Sequence, residues 1–138
     1  MAENIRLEVV TPEKEVVSEE VQTVIAPGVL GEFGVLVGHT PFLTPIQTGA
    51  IRYMDANGEE HAVFVSGGFA EALPDKVTVL AESAERRKDI DTNRAQTALE
   101  RAEKRLAEKN KDDEIDFVRA KTALRRALVR VKVAGSRT

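Results

Sequence analysis

The sequence predicts an α+β protein: an all-β sandwich or small barrel over residues 1–84, then an antiparallel two-helix hairpin over residues 85–138. Three observations carry this expectation. Up to Ala84, apolar and polar residues alternate and turn signals recur about every 8 to 12 residues, as in sandwiches and small barrels. From Ile90 the apolar period becomes that of a helix. The charge also divides there: residues 1–84 hold 13 acidic and 4 basic side chains, net −9, whereas residues 85–138 hold 10 acidic and 16 basic, net +6, beneath a bland total of −3.

In the first half, Ile5, Leu7 and Val9 alternate with Arg6 and Glu8 as a half-buried strand requires, and Thr11-Pro12 ends that run. In "IRYMDANGEEHAVFV", Asn57-Gly58 lies between two strand-like runs, and both residue types accept the positive φ of a type I′ turn. "FAEAL" and "KVTVL" repeat the arrangement around Pro74-Asp75. Between them, "GVLGEFGVLVGHTPFLTPI" gathers Gly28, Gly31, Gly34 and Gly38 without the lysine and helix start of a phosphate loop, so bulges and tight turns account for it better. Glu32, expected at a loop tip between glycines, reads either as a solvated carboxylate or as a docking contact.

In the second half, "DIDTNRA" marks the change of character: Asp89 or Asp91 can cap a helix whose Ala95, Leu99, Ala102 and Leu106 form one apolar stripe. "EKNKDDEID" breaks the stripe, and Asp113 can cap a second helix with Phe117, Ala120, Leu124, Ala127 or Leu128, and Val131 on one side and Gly135 as its stop. Such short, alanine-rich helices are marginal alone in water, so the hairpin is expected to be held loosely and to be able to change its docking. Arg94, Arg101 and Arg105 share a face beside the first stripe, and residues 117–138 hold seven basic and no acidic side chains. Lys121 with Arg125, and Arg126 with Arg130, are like-charged pairs one turn apart, each costing about 0.2 to 0.5 kcal/mol in an isolated helix. The basic face is either solvated or meets an anionic ligand or acidic protein surface.

Composition excludes other classes. With no cysteine there is neither a disulfide framework nor a thiolate metal site, and His39 and His61 are too few for a multi-histidine cluster. The first residues lack the pattern of a signal peptide and no segment approaches spanning length, so a soluble protein is expected. No Ser-His-Asp, paired-carboxylate or metal arrangement supports an enzyme.

The order of "GEFGVLVGHTPFLT", "SGGF", "AERRKDIDTNRA" and an alanine-rich helical hairpin resembles the epsilon subunit of bacterial F-type ATP synthase over nearly the whole chain. The resemblance implies a non-catalytic rotor subunit on the cytoplasmic face of the plasma membrane, held there through the complex. It also implies a β domain touching the gamma subunit and the c ring in proton-driven ATP synthesis, and a mobile hairpin that restrains ATP hydrolysis. "IDTNRA" is similar to the family's ATP motif, which places an ATP site at Glu85, Ile90, Asp91, Arg94, Ala95, Arg101, Arg126 and Arg130, with no metal required. Guanidinium forks suit phosphate oxygens, so binding without hydrolysis is the expectation. The resemblance further assigns Gly31, Glu32, Phe33 and His39 to loops facing the rotor, although His39 also reads as a hydrogen-bonded structural histidine. It assigns Arg119, Lys121, Arg125, Arg126, Arg130 and Lys132 to contact with the catalytic beta subunit, and through it the alpha subunit, when the hairpin extends. A free-standing ATP sensor is the alternative. A nucleic-acid-binding module ranks below it, because Phe117 is the single aromatic after Phe69 and the β domain is acidic.

Overall fold

A computed structural model describes residues 4–108 and 114–136. Seven strands come first: β1 (Ile5–Val10), β2 (Glu15–Gly28), β3 (Gly31–Val35), β4 (Phe42–Ile46), β5 (Gly49–Asp55), β6 (Glu60–Leu73) and β7 (Lys76–Arg86). A short 3-10 turn, Arg87–Asp89, leads to α1 (Thr92–Ala107) and α2 (Glu114–Gly135). The pairings β1–β2, β2–β5, β5–β6, β6–β7 and β7–β1 close a ring, in which β1–β7 is parallel and the others antiparallel. β3 and β4 extend it through β2 and β6. The core-facing positions of β1 (Ile5, Leu7 and Val9) are those set by alternation, and Thr11 ends the strand by accepting the N–H groups of Glu13 and Lys14 at its hydroxyl.

The 14-residue β6 organises the molecule. Its first half pairs with β5 and its second half with β4, while β7 follows it in unbroken register. The core-facing residues are Val63 and Val65 before Gly67-Gly68 and Ala70 and Ala72 after them, so the facing alternation slips by one as the ribbon bends. Gly67 and Gly68 make the bend with φ of 67° and 123°, values that side chains rarely adopt. Ala62 and Phe64 occupy the opposite face of β6 and are buried by the helices with Ile90, Ala95 and Val133. β6 is thus a wall between two apolar cores, which is why "HAVFV" reads as a nearly continuous apolar run.

Several expectations are corrected. The turn after β5 is not type I′, because Asn57 has negative φ and only Gly58 is positive at 83°. Gly58 N–H donates to Asp55 O and Asp55 N–H to Glu59 O, giving a three-residue loop with a bulge at the glycine. The Asp55 carboxylate supports it by accepting the N–H groups of Asn57 and Glu59. Glu32 lies within β3 opposite Pro27 and not at a loop tip. On α1, Ala95, Leu99 and Ala102 are buried as the stripe requires. On α2, Ala120 and Ala127 are buried but Phe117 and Leu128 are exposed, and Val133 takes the apolar contact with the β domain. The proposed Asp113 cap lies outside the described residues.

Candidate functional site

Asp91 fixes the boundary between the two domains. Its carboxylate accepts the Arg94 N–H at 3.0 Å, the contact that satisfies an orphan donor in the first turn of α1. Ile90 and Ala95, on either side of this cap, are buried against Phe64 and Val133 and therefore anchor the hairpin through apolar contact. Glu85 lies directly opposite Phe64 in the β6–β7 register. Arg130, one residue from Val129 and Val131 on α2, donates from Nε to Glu85 Oε1 at 2.6 Å and lays its guanidinium 4.2 Å from the Phe64 ring centroid. The structure thus joins Glu85, Ile90, Ala95 and Arg130 around Phe64, a residue that sequence reasoning missed. Its signal was the departure from alternation in "HAVFV", which implies burial on both faces.

The other cations of this group are differently placed. Arg94 and Arg101 are exposed and Arg126 is half-buried, and none makes an ion pair among the described residues. Arg125 donates to Gln47 Oε1 at 2.8 Å, tying α2 to the link between β4 and β5, whereas Arg119, Lys121 and Lys132 are exposed. Beside the boundary segment, Tyr53, His61, Arg86, Arg87 and Lys88 line a cleft of about 280 Å³. Arg86 is already engaged there by Val16 O at 2.9 Å and by Glu19 at 3.3 Å. Burial pushes the Tyr53 phenol up to about 12, with Arg86 opposing the rise. His61 stacks on Tyr53 at 4.9 Å between ring centroids and meets Asp55 Oδ2 at 2.8 Å. That contact, with the Glu59 and Asn57 N–H groups, holds the Asp55 carboxyl below its ordinary value.

At the other end of the β domain, Phe33 and His39 are brought together through Phe42, with ring centroids 5.1 and 4.9 Å from it. His39 Nδ1 also lies 2.6 Å from Thr40 O, the contact expected of a hydrogen-bonded structural histidine. Gly31 is exposed in the hairpin between β2 and β3. Glu32 is paired with Arg52 at 3.1 Å, both side chains being more than half exposed. An apolar row missed in the sequence crosses the outside of three strands: Pro45 is opposite Phe69 and Phe69 opposite Leu80, with Leu43 and Leu73 beside them. Leu43 is 69% exposed, Leu80 58% and Phe69 54%, a concentration of large exposed side chains that isolated surface leucines do not produce.

Among the described residues no helix is long and apolar enough to cross a membrane. A family model described as ATP synthase, Delta/Epsilon chain, beta-sandwich domain matches residues 4–87, and one described as ATP synthase, Delta/Epsilon chain, long alpha-helix domain matches residues 88–135. The chain is 60% identical over 137 residues to an ATP synthase epsilon chain of Desulforapulum autotrophicum, covering 99% of this chain and 100% of that one. It is 69% identical over 106 residues to an ATP synthase epsilon chain of Desulfosudis oleivorans, covering 77% and 80%. Among solved structures, a chain of the Euglena gracilis mitochondrial ATP synthase, determined with OSCP, F1 and c-ring, shares the fold with a TM-score of 0.76 at 24% identity, covering 88% of this chain and 76% of that one. With both halves matched in order and relatives aligned from end to end, the chain belongs to the ATP synthase delta/epsilon family, as an epsilon chain of the F-type enzyme.

Proposed function

We propose that this subunit is a non-catalytic rotor component that couples the gamma subunit to the c ring in proton-driven ATP synthesis, on the cytoplasmic face of the bacterial plasma membrane. Its helical hairpin restrains ATP hydrolysis by the alpha and beta subunits, and ATP is its regulatory ligand. The observation that carries the docking role is the exposed apolar row of Leu43, Phe69 and Leu80. Covering these side chains favours association through the hydrophobic effect, and the acidic β domain around them gives a partner charge to recognise. The regulatory role is supported by Arg119, Lys121, Arg126 and Lys132 on α2, which make no ion pair among the described residues and suit an acidic surface of the beta subunit.

The test compares hydrolysis by the assembled enzyme carrying the parent chain, a chain truncated after Asp89, and a chain with Arg119, Lys121, Arg126 and Lys132 replaced together by alanine. Arg125 and Arg130 are kept because they touch the β domain. Each exposed pair is worth under about 1 kcal/mol, so the substitutions are combined. Both variants should assemble and hydrolyse ATP faster than the parent, with the difference narrowing at high salt. Activation by truncation alone would assign the restraint to packing, and unchanged hydrolysis in both would remove it. Replacing Leu43, Phe69 and Leu80 together by serine should release the subunit from gamma; retained binding would move the docking surface elsewhere.

A further inference from the structure

Among the described residues, the closest charged contact between hairpin and β domain joins residues 45 apart in sequence. Glu85 on β7 and Phe64 on β6 are cross-strand neighbours, so carboxylate and ring form one receptacle on the sheet face that meets the helices. Arg130 fills it with Nε 2.6 Å from Glu85 and its guanidinium carbon 4.2 Å from the ring centroid. Both charged side chains are about seven-tenths covered, Arg130 being 28% and Glu85 30% exposed, which distinguishes this pair from the open Glu32–Arg52 pair. Arg94, Arg101 and Arg126 have no such partner among the described residues, so Arg130 alone of these four arginines already holds an anion.

We propose that Glu85, Arg130 and Phe64 form a latch in which the protein's own carboxylate occupies Arg130 and holds the hairpin against the β domain without a nucleotide. The physical reason is mutual dependence. A half-desolvated Glu85 without Arg130 would face the apolar cluster of Phe64, Ile90 and Val133, and a half-desolvated Arg130 would keep the ring but lose its counter-charge. Losing one partner is therefore more disruptive than losing both, and opening α2 separates them together. The latch deepens the regulatory reading and rests on it for the consequence on hydrolysis, but its existence is measurable in the full chain alone.

The experiment is hydrogen exchange of the nucleotide-free full chain with Glu85→Gln, Arg130→Gln and both substitutions together. Each single variant should speed exchange of the α2 amides roughly tenfold, the factor equivalent to about 1.4 kcal/mol at room temperature. Amides of β1 and β7 between Val77 and Val79 should keep their parental rates, since they lie in the other core. The double variant should exchange no faster than the faster single one. Three results would overturn the latch: single variants within twofold of the parent, a double variant whose acceleration is the product of the two singles, or β7 amides speeding in parallel with α2. Hydrolysis by the complex carrying these variants reports separately on regulation: faster α2 exchange with unchanged hydrolysis supports the latch and sinks the inhibitory reading.

Discussion

Replacing Gly68 by alanine tests the bend at which the core-facing alternation of β6 slips by one residue. A Cβ at this position would lie 2.0 Å from Leu80 O and 2.9 Å from the Ala81 Cα, both backbone atoms of β7. Contacts under 3.0 Å are essentially unknown for real Cβ atoms, so β7 must retreat by at least 1 Å beside Leu80. The φ of 123° adds strain of about 1 to 3 kcal/mol for any residue with a side chain. Displacing β7 weakens about two ladder bonds, worth about 0.5 to 1.5 kcal/mol each. Together the loss is about 2 to 6 kcal/mol, a large share of the stability expected for a domain of this size.

Thermal unfolding followed by far-ultraviolet circular dichroism measures it. At roughly 4 °C per kcal/mol the melting temperature should fall by about 8 °C or more. Gly58→Ala is the comparison, because its φ is also positive, at 83°, but a Cβ there meets nothing within 4 Å. That substitution carries backbone strain alone, about 1 to 2 kcal/mol, and a shift of about 4 to 8 °C. Gly68→Ala melting no lower than Gly58→Ala would refute the reasoning, since it would mean that β7 accommodates the methyl group without cost.

Three further expectations follow from the sites. Tyr53 is the single tyrosine and there is no tryptophan, so phenolate absorbance reports it alone; it should ionise near 12 in the folded chain against an ordinary 10.0. The raised value means that its contribution to stability is complete below pH 10 and is lost as pH rises through the folded pKa, so a phenol titrating at its ordinary value would contradict its burial. Asp55 has the opposite sign: its depressed pKa gives stability above the ordinary value of 3.8 that disappears as pH falls through the folded value, and Asp55→Asn should flatten the acid limb of melting temperature against pH. An unchanged limb would assign acid sensitivity to other carboxylates. Millimolar ATP should raise the melting temperature of the full chain, with ligand at a hundred times its Kd adding about 2.7 kcal/mol. Arg94→Ala or Arg126→Ala should abolish the rise, and an undiminished rise in both would move the ligand away from these residues.

What was legible in the sequence was whatever depends on neighbours along the chain. The Asp91 cap follows from a carboxylate three residues ahead of the N–H that it accepts, and β1 follows from simple alternation. Asn57-Gly58 announced a turn but not its type, because residue preference overlaps between the two-residue turn and the three-residue loop with a glycine bulge; the strand register decides. Periodicity on α2 found a stripe without saying what would cover it. The end of α2 meets β6 as well as α1, so Val133 is buried off the main stripe while Phe117 remains exposed. Glu85 and Arg130 were each singled out, yet their pairing depends on tertiary placement across 45 residues and has no local signature.

The β6 wall sets the terms on which the hairpin could move. Lifting α2 leaves the β6 ladder intact, because its partners β4, β5 and β7 belong to the other domain. It does expose Phe64, Ile90 and Val133, which are at most 7% accessible in the docked form. At about 1.5 to 3 kcal/mol for each large apolar side chain, the apolar cost alone is roughly 5 to 9 kcal/mol as an upper estimate. An undocked hairpin would then be populated at well under about one part in a thousand. The alanine-rich stripes suggested loose holding, but the affinity that matters is that of α2 for β6, and its anchors are Phe64, Val133 and the Glu85–Arg130 pair. If extension of the hairpin restrains the enzyme, the surface that receives it must supply at least this free energy through contacts made only in the extended form. Weakening the latch would shift that balance without touching the receiving surface, so variants at Glu85 and variants on the exposed basic face should change hydrolysis in opposite directions.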